Sequence, residues 1–255
     1  MLALLRPAGL ALLGAVLAPG SSLAEGAVAS LRTAQQAGTP TKYGTDAALP
    51  GLCMEVLRAV EKLDPGLRFT GLEVKASIRR IERMLANGEI DAFFCLLKSP
   101  ERVQQWRYLP VPLYKIRHIA VQRADDRALD LQGMQDLIVA SHQKPVLVVQ
   151  GSVLAQTLIR ANVITGEAPS EREALQMLLL GRADLVYGQD VNILRHIRDL
   201  GLGDRLKVSP TVFFEDTQYA TVAKHVSPEL EQRLTQALQQ LERDGVLKAI
   251  ADRYR

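Results

Sequence analysis

The sequence predicts an α/β protein of two similar lobes, and three observations carry that prediction. The phrase Met84-Leu85-x-x-Gly88-x-x-Asp91, followed by the apolar run Ala92-Phe93-Phe94, returns as Met177-Leu178-x-x-Gly181-x-x-Asp184 before Leu185-Val186-Tyr187. Each copy reads as the end of an amphipathic helix, a glycine C-cap and a short buried strand. Strand and helix patterns alternate along the chain, as expected for mostly parallel sheets. Two extended segments, 115–123 and 211–223, flank the second copy and would carry the chain into the second lobe and back. Paired lobes leave a cleft between them, where small ligands bind.

The elements follow in order. Residues 30–34 read as a short strand, and a Gly/Pro/Thr-rich loop runs from 38 to 51. A helix over 53–63 puts Met54, Leu57 and Val60 on one face, and Pro65-Gly66 closes it. Residues 67–74 read as a strand. Ser77 is expected to cap a helix through Asn87, with Ile78, Ile81 and Leu85 inward. Residues 91–97 form a buried strand, and Ser99-Pro100 opens a short helix. The continuous apolar run 145–150 is a strand, with Ser152 capping the helix after it. Ser170-x-x-Glu173 is a capping box for the helix that ends at Gly181. A strand at 185–187 and a helix at 191–200 follow. Ser227-Pro228-Glu229 opens a long helix with Leu230, Leu234, Leu238 and Leu241 on one face, and Gly245 separates it from a last helix at 246–254.

The first 24 residues read as a secretory signal peptide. Arg6 is the sole charge before Glu25, residues 8–18 are apolar but too short to span a bilayer, and Ser22-Leu23-Ala24 is a small-x-small cleavage site. The mature chain is therefore expected to be exported to the periplasm, soluble and monomeric. Removing Arg6 takes the net charge from +3 to about +2. That balance, with no basic stripe, excludes a nucleic-acid partner. Aromatic residues make up only 5% of the chain, which disfavours a carbohydrate site built on stacked rings.

Three turns could hold chemistry. Arg102 lies in the first turn of the helix opened by Ser99, where the helix dipole disfavours a cation. An anion bound there would resolve the conflict, held by free N–H groups and the guanidinium fork; water or Glu101 would be the plainer partner. Gly151-Ser152 joins a strand to a helix and is either an anion cradle or a simple cap. Gly188-Gln189-Asp190 follows the second buried strand, at the end where open α/β sheets place ligands. The four histidines lack metal-ligand spacing, and no nucleophile elbow, phosphate loop or dinucleotide fingerprint is present. No enzyme activity, cofactor or metal is expected. Export permits a disulfide between Cys53 and Cys95, the alternative being two buried thiols.

In this order the pieces resemble the periplasmic solute-binding proteins of the amino-acid ABC-transporter type, the type II, family 3 group. The resemblance runs from about Leu31 to Arg255. It is carried by Gly51-Leu52-Cys53-Met54-Glu55-Val56, by the first Met-Leu-x-x-Gly-x-x-Asp, and by Ser99-Pro100-Glu101-Arg102 with Tyr108-x-Pro110-x-Pro112-Leu113-Tyr114. Gly181-Arg182-x-Asp184 through Asn192-Ile193-Leu194 and Ser227-Pro228-Glu229-Leu230 complete it. The resemblance implies two lobes joined by a two-strand hinge, divided as 25–116 plus 217–255 and 117–216. It implies capture of a small polar, carboxylate-bearing, amino-acid-like solute in the cleft for an ABC permease. Other members suggest an accessory or sensory role beside a periplasmic redox enzyme, or a dehydratase. By the same resemblance Arg102 and Gly151-Ser152 hold the carboxylate, and Tyr43 covers the ligand. The aspartate that would hold an α-ammonium falls on Gln189, with Asp190 one residue later, and a small hydroxyl residue is replaced by Leu97. Arg102→Ala is expected to abolish binding and leave the fold intact. With Gln189 neutral, a carboxylate lacking the amino group is expected to bind about as well as its amino acid.

Overall fold

The computed structural model describes residues 28–126 and 129–255; the expected signal peptide lies outside them. The chain builds two α/β lobes. The first holds β1 (Ala29–Arg32), β2 (Gln35–Gln36), α1 (Leu52–Leu63), β3 (Leu67–Thr70), β4 (Lys75–Ala76), α2 (Ile78–Ala86), β5 (Ala92–Leu97) and α3 (Pro100–Gln105). The 17-residue strand β6 (Arg107–Arg123) leads into the second. There the chain forms α4 (Met134–Ser141), β7 (Val146–Val149), α5 (Val153–Arg160), β8 (Thr165–Ala168), α6 (Glu171–Leu179), β9 (Val186–Gln189), α7 (Asp190–Asp199) and β10 (Leu206–Val208). Strand β11 (Phe214–Val222) returns antiparallel to β6, and α8 (Pro228–Arg243) and α9 (Val246–Asp252) close the chain.

The sheets are mixed. Strands β1 and β3, β2 and β4, and β7 with both β8 and β9 pair in parallel. Strands β6 and β11 pair antiparallel with each other and with β5, β9 and β10, giving the order β5-β11-β6-β9-β7-β8. The repeated phrase closes both times in the same way. Gly88 and Gly181 adopt φ +70°, and the next N–H reaches back to the methionine carbonyl, Glu89 to Met84 at 2.8 Å and Arg182 to Met177 at 3.1 Å. That is the 6→1 bond of a Schellman cap, and only glycine adopts the left-handed position without penalty. The aspartate of each copy then clamps its lobe. Asp91 accepts from Arg32 and His225, and Asp184 from Arg123 and Lys144. Burial works against the Asp91 charge, but the bonds from Arg32 and His225 outweigh it and hold the carboxyl near about 2.

Several elements depart from expectation for local reasons. Strand β6 begins at Arg107, not 115, because Pro110 and Pro112 sit at exposed positions between the buried Leu109, Val111 and Leu113. Opposite Pro112 the register to β11 shifts, which removes the need for a proline N–H. Strand β11 starts at Phe214 because the Thr211 N–H turns back onto Ser209. Helix α4 starts from Gly133 and buries only Leu137 and Ser141, so it has no apolar stripe to announce it. Strand β8, Thr-Gly-Glu-Ala, is an edge strand, bonded among the described strands to β7 alone. Ser77 precedes α2 without a side-chain cap bond, whereas Ser99, Ser152, Ser170 and Ser227 each accept one.

Cys53, in the first turn of α1, is disulfide-bonded to Cys95 of β5, with Cα atoms 6.1 Å apart. Cys95 has φ +62°, a left-handed conformation that a non-glycine residue adopts in a strand only under constraint. Helix α1 itself starts at Gly51, where a Cβ would lie 2.4 Å from the Lys42 carbonyl oxygen. The loop before α1 is thereby pressed against the helix, and Lys42 and Tyr43 become buried.

Candidate functional site

Ser99 caps α3 by accepting from the Arg102 N–H, which fixes Arg102 in the first turn. Its side chain is buried, and the anion that resolves the dipole conflict is the chain's own Glu82, from α2. Arg102 Nε and Nη2 donate to Glu82 Oε1 at 2.8 and 2.5 Å, and Nη1 donates to the Leu97 carbonyl at 3.0 Å. Tyr108 donates its hydroxyl to the same carbonyl at 2.8 Å. A guanidinium has five N–H donors, so donors remain for a solute, but Arg102 is also a structural ion pair. Arg102→Ala is therefore expected to cost stability as well as an anion anchor. Glu82 keeps 27% of its side chain exposed, so loss of its partner should cost about 2 kcal/mol rather than the roughly 3–5 of a fully buried pair. Urea titration of Arg102→Ala and of Arg102→Ala/Glu82→Gln checks this: the double variant should recover part of the loss, and equal midpoints for wild type and Arg102→Ala would refute it.

The other candidates are also drawn into the chain's own contacts. Ser152 donates its hydroxyl to the Val149 carbonyl at 2.7 Å and accepts from Ala155 N–H at 3.1 Å, so it acts here as a cap. Gly151 is left-handed, and the Arg79 side chain of the other lobe lies where a Cβ would be, 2.4 Å from Cγ. Asp190 accepts from the Arg117 N–H and Nε at 3.0 and 2.9 Å and from Val191 N–H, so its charge already has a partner. Gln189 is buried and accepts from Gln218 Nε2 at 3.2 Å. Tyr43 donates to the Phe94 carbonyl at 2.9 Å and packs beside Phe93, so its ring is a core group rather than a cover.

The lobes meet along this face. Thr41 donates to the Val191 carbonyl at 3.1 Å, His196 Nε2 lies 3.3 Å from the Gly38 carbonyl, and Arg79 pairs with Glu167 at 2.8 Å. Arg160 of α5 pairs with Glu101 of α3. Both ion pairs are about half exposed, so each contributes about 1 kcal/mol or less.

Between them lies a polar cluster that the sequence reading did not single out. Lys42 is fully buried, and its Nζ makes one hydrogen bond among the described residues, to the Cys95 carbonyl at 3.2 Å. Burial lowers its pKa to about 8, against attraction from Glu171 and with repulsion from Arg102. Glu171, first residue of α6, is 5% exposed and accepts from Asn192 Nδ2 at 3.3 Å. The buried Tyr114 hydroxyl, Asn192 Oδ1 and Gln218 Oε1 have no partner among the described residues. Burial first, then the nearby Tyr43, Asp190 and Glu171, push the Tyr114 phenol well above its ordinary value. The sequence carried a faint signal: Lys42 is the one charged residue between Arg32 and Asp46. Among the described residues no cluster of His, Cys, Asp and Glu is set to hold a metal, and no helix is long and apolar enough to cross a membrane.

The model of the bacterial extracellular solute-binding proteins, family 3, matches residues 32–255. The chain belongs to that family. A relative, the probable amino-acid-binding protein YxeM of Bacillus subtilis (strain 168), is 24% identical over 223 residues, 84% of this chain and 79% of the relative. A histidine kinase sensor domain with similarity to periplasmic binding proteins superposes with a TM-score of 0.77 at 19% identity, over 88% of this chain and 95% of its own. The ancestral amino acid-binding protein AncCDT-1, a precursor of cyclohexadienyl dehydratase, gives 0.73 at 19%, over 88% and 95%. At these identities the two structures show the fold, a type II periplasmic binding protein architecture.

Proposed function

We propose that the mature chain is a periplasmic binding protein that captures a small, carboxylate-bearing, amino-acid-like solute between its lobes and delivers it to an ABC permease. The lobes would be 25–116 plus 217–255 and 117–216, released from the signal peptide after Ala24. One observation carries the reading: buried polar groups from both lobes converge with unmet hydrogen-bonding capacity. Tyr114, Asn192 and Gln218 each leave a buried oxygen without a partner among the described residues, and Lys42 brings a buried ammonium with one carbonyl acceptor among them. Buried polar groups are nearly always hydrogen-bonded, so unmet ones call for a further partner such as a solute or a water. The relative's description as an amino-acid-binding protein supports the same class.

A thermal-shift screen of the mature protein against amino acids, dicarboxylates and small alcohols tests the proposal. At ten times its Kd a solute that binds only the folded state adds about 1.4 kcal/mol, a rise of roughly 3–6 °C. Carboxylate-bearing solutes should give that rise. Stabilisation confined to uncharged alcohols would overturn the reading, as would no response across all three classes.

A further inference from the structure

We infer that Arg79 and Arg160 are latch residues that hold the two lobes shut by clasping helix α5 at both ends, so that salt governs how often the cleft opens. The inference concerns closure and stands apart from the identity of any solute.

The first clasp begins with a local conflict in α2. The helix opens Ile78-Arg79-Arg80, has no acidic residue in its first turn, and among the described residues Ser77 makes no side-chain cap bond. Two cations at a helix N-terminus oppose its dipole. Arg79 meets an anion by reaching out of its own lobe. Its side chain runs through a notch at Gly151, in the turn between β7 and α5, where φ is +67°. A Cβ on Gly151 would lie 2.6 Å from Arg79 Nε and 3.0 Å from Cδ, so a side chain there and the arginine arm exclude one another. The arm ends on β8, where Nη2 donates to Glu167 Oε1 at 2.8 Å. Glu167 is the register partner of Val148 in β7, so notch and carboxylate sit on neighbouring strands of the second lobe.

The second clasp grips the far end of the same helix. Arg160, the last residue of α5, pairs with Glu101 Oε1 in the first turn of α3. The other Glu101 oxygen accepts the Ser99 hydroxyl at 2.8 Å, which aims the carboxylate from within lobe one. Helix α5 has eight residues, a length of about 12 Å. Held near both ends, it resists rocking as well as opening. The polarity also reverses: lobe one supplies the cation at one end and the anion at the other. That pattern favours a single register of closure, because a slipped one brings like charges together. Both pairs are about half exposed, so dissolved ions compete with them.

Single-molecule energy transfer tests the latches without any solute. The mature protein is refolded from urea with its disulfide intact, to strip carried solute, and dyes are placed on Arg83→Cys and Arg172→Cys, exposed positions on α2 and α6. In dilute buffer the wild type should show a closed population. Arg79→Ala or Arg160→Ala should lower the closed-to-open ratio by up to about fivefold, and the two together by up to about twentyfold. Raising NaCl to about 1 M should lower the wild-type ratio similarly and barely move the double variant. Arg79→Glu sets two carboxylates against each other and should open the cleft further than Arg79→Ala. Adding Glu167→Arg should restore most of the closed population; a glutamate suits the first turn of α2, so folding is not at issue. If no carboxylate solute binds, solute capture fails and these readouts are unaffected. A wild type without a closed population, a ratio indifferent to salt or to the double variant, or a charge swap that rescues nothing would overturn the latches.

Discussion

Reducing the Cys53–Cys95 disulfide, or replacing both cysteines by alanine, should lower the stability of the mature protein by about 4 kcal/mol. The bond closes a loop of 42 residues, and the chain-entropy estimate for that length is about 4 kcal/mol at 25 °C. For a chain of this size each kcal/mol corresponds to roughly 2–4 °C, so the melting temperature should fall by about 8–16 °C. Calorimetry with and without reductant measures it, with the double alanine variant as a reductant-insensitive control. A loss below about 1 kcal/mol would show that the cross-link contributes little to stability.

The same bond should matter to the cleft. Cys95 sits in a left-handed kink where the register between β5 and β11 shifts. The kink presents the carbonyls of Phe94 and Cys95 to Tyr43 and Lys42. Without the bond to α1, β5 can relax toward regular extended geometry, and Lys42 loses its one carbonyl acceptor. Reduction is therefore expected to weaken solute binding beyond what the lost stability explains, at temperatures where both forms remain folded.

What could be read from the sequence was local. The two Gly-capped units announced themselves because cap, helix and strand lie within about a dozen consecutive residues. Serine caps were legible for the same reason, four of the five forming their side-chain bond. Strand β6 was cut short because Pro110 and Pro112 are breakers in isolation; only the partner strand β11 shows that they fall where pairing is irregular. The site was harder. Arg102 demanded an anion, but Glu82 lies 20 residues away on another helix, and no spacing rule connects them. Glu171 lay between Ser170 and Glu173 of the capping box, and its burial shows only once α6 packs beside α7, where Asn192 donates to it. Lys42 sat in a loop without periodicity, and its burial follows from Gly51 and Tyr43 packing around it.

That buried lysine should give the protein an unusual alkaline profile. Its pKa is lowered from 10.5 to about 8, first by burial and secondarily through repulsion from Arg102, with Glu171 opposing. Below pH 8 the ammonium is charged in both folded and unfolded states, and the folded state bears the cost of burying it. Between about 8 and 10.5 the unfolded chain holds the proton while the folded protein releases it. Stability therefore rises with pH in that window. From pH 7 to 10 the gain is about 2.5 kcal/mol. Above pH 10 the buried Tyr43 and Tyr114, whose phenols are raised, reverse the trend. Urea titrations of wild type and Lys42→Met at pH 7, 8, 9 and 10 isolate the lysine, since other groups cancel in the difference. Wild type should gain on Lys42→Met by about 2.5 kcal/mol across the series, and parallel curves would refute the assignment. Solute binding should run the opposite way. A carboxylate placed on Lys42 stabilises its charged form, so binding takes up a proton above pH 8 and affinity falls as pH rises. Calorimetry at pH 9 in buffers of different ionisation enthalpy should show that proton uptake in the wild type and lose it in Lys42→Met. The lysine would then be a group whose burial lowers stability at neutral pH because the closed, loaded cleft needs its charge.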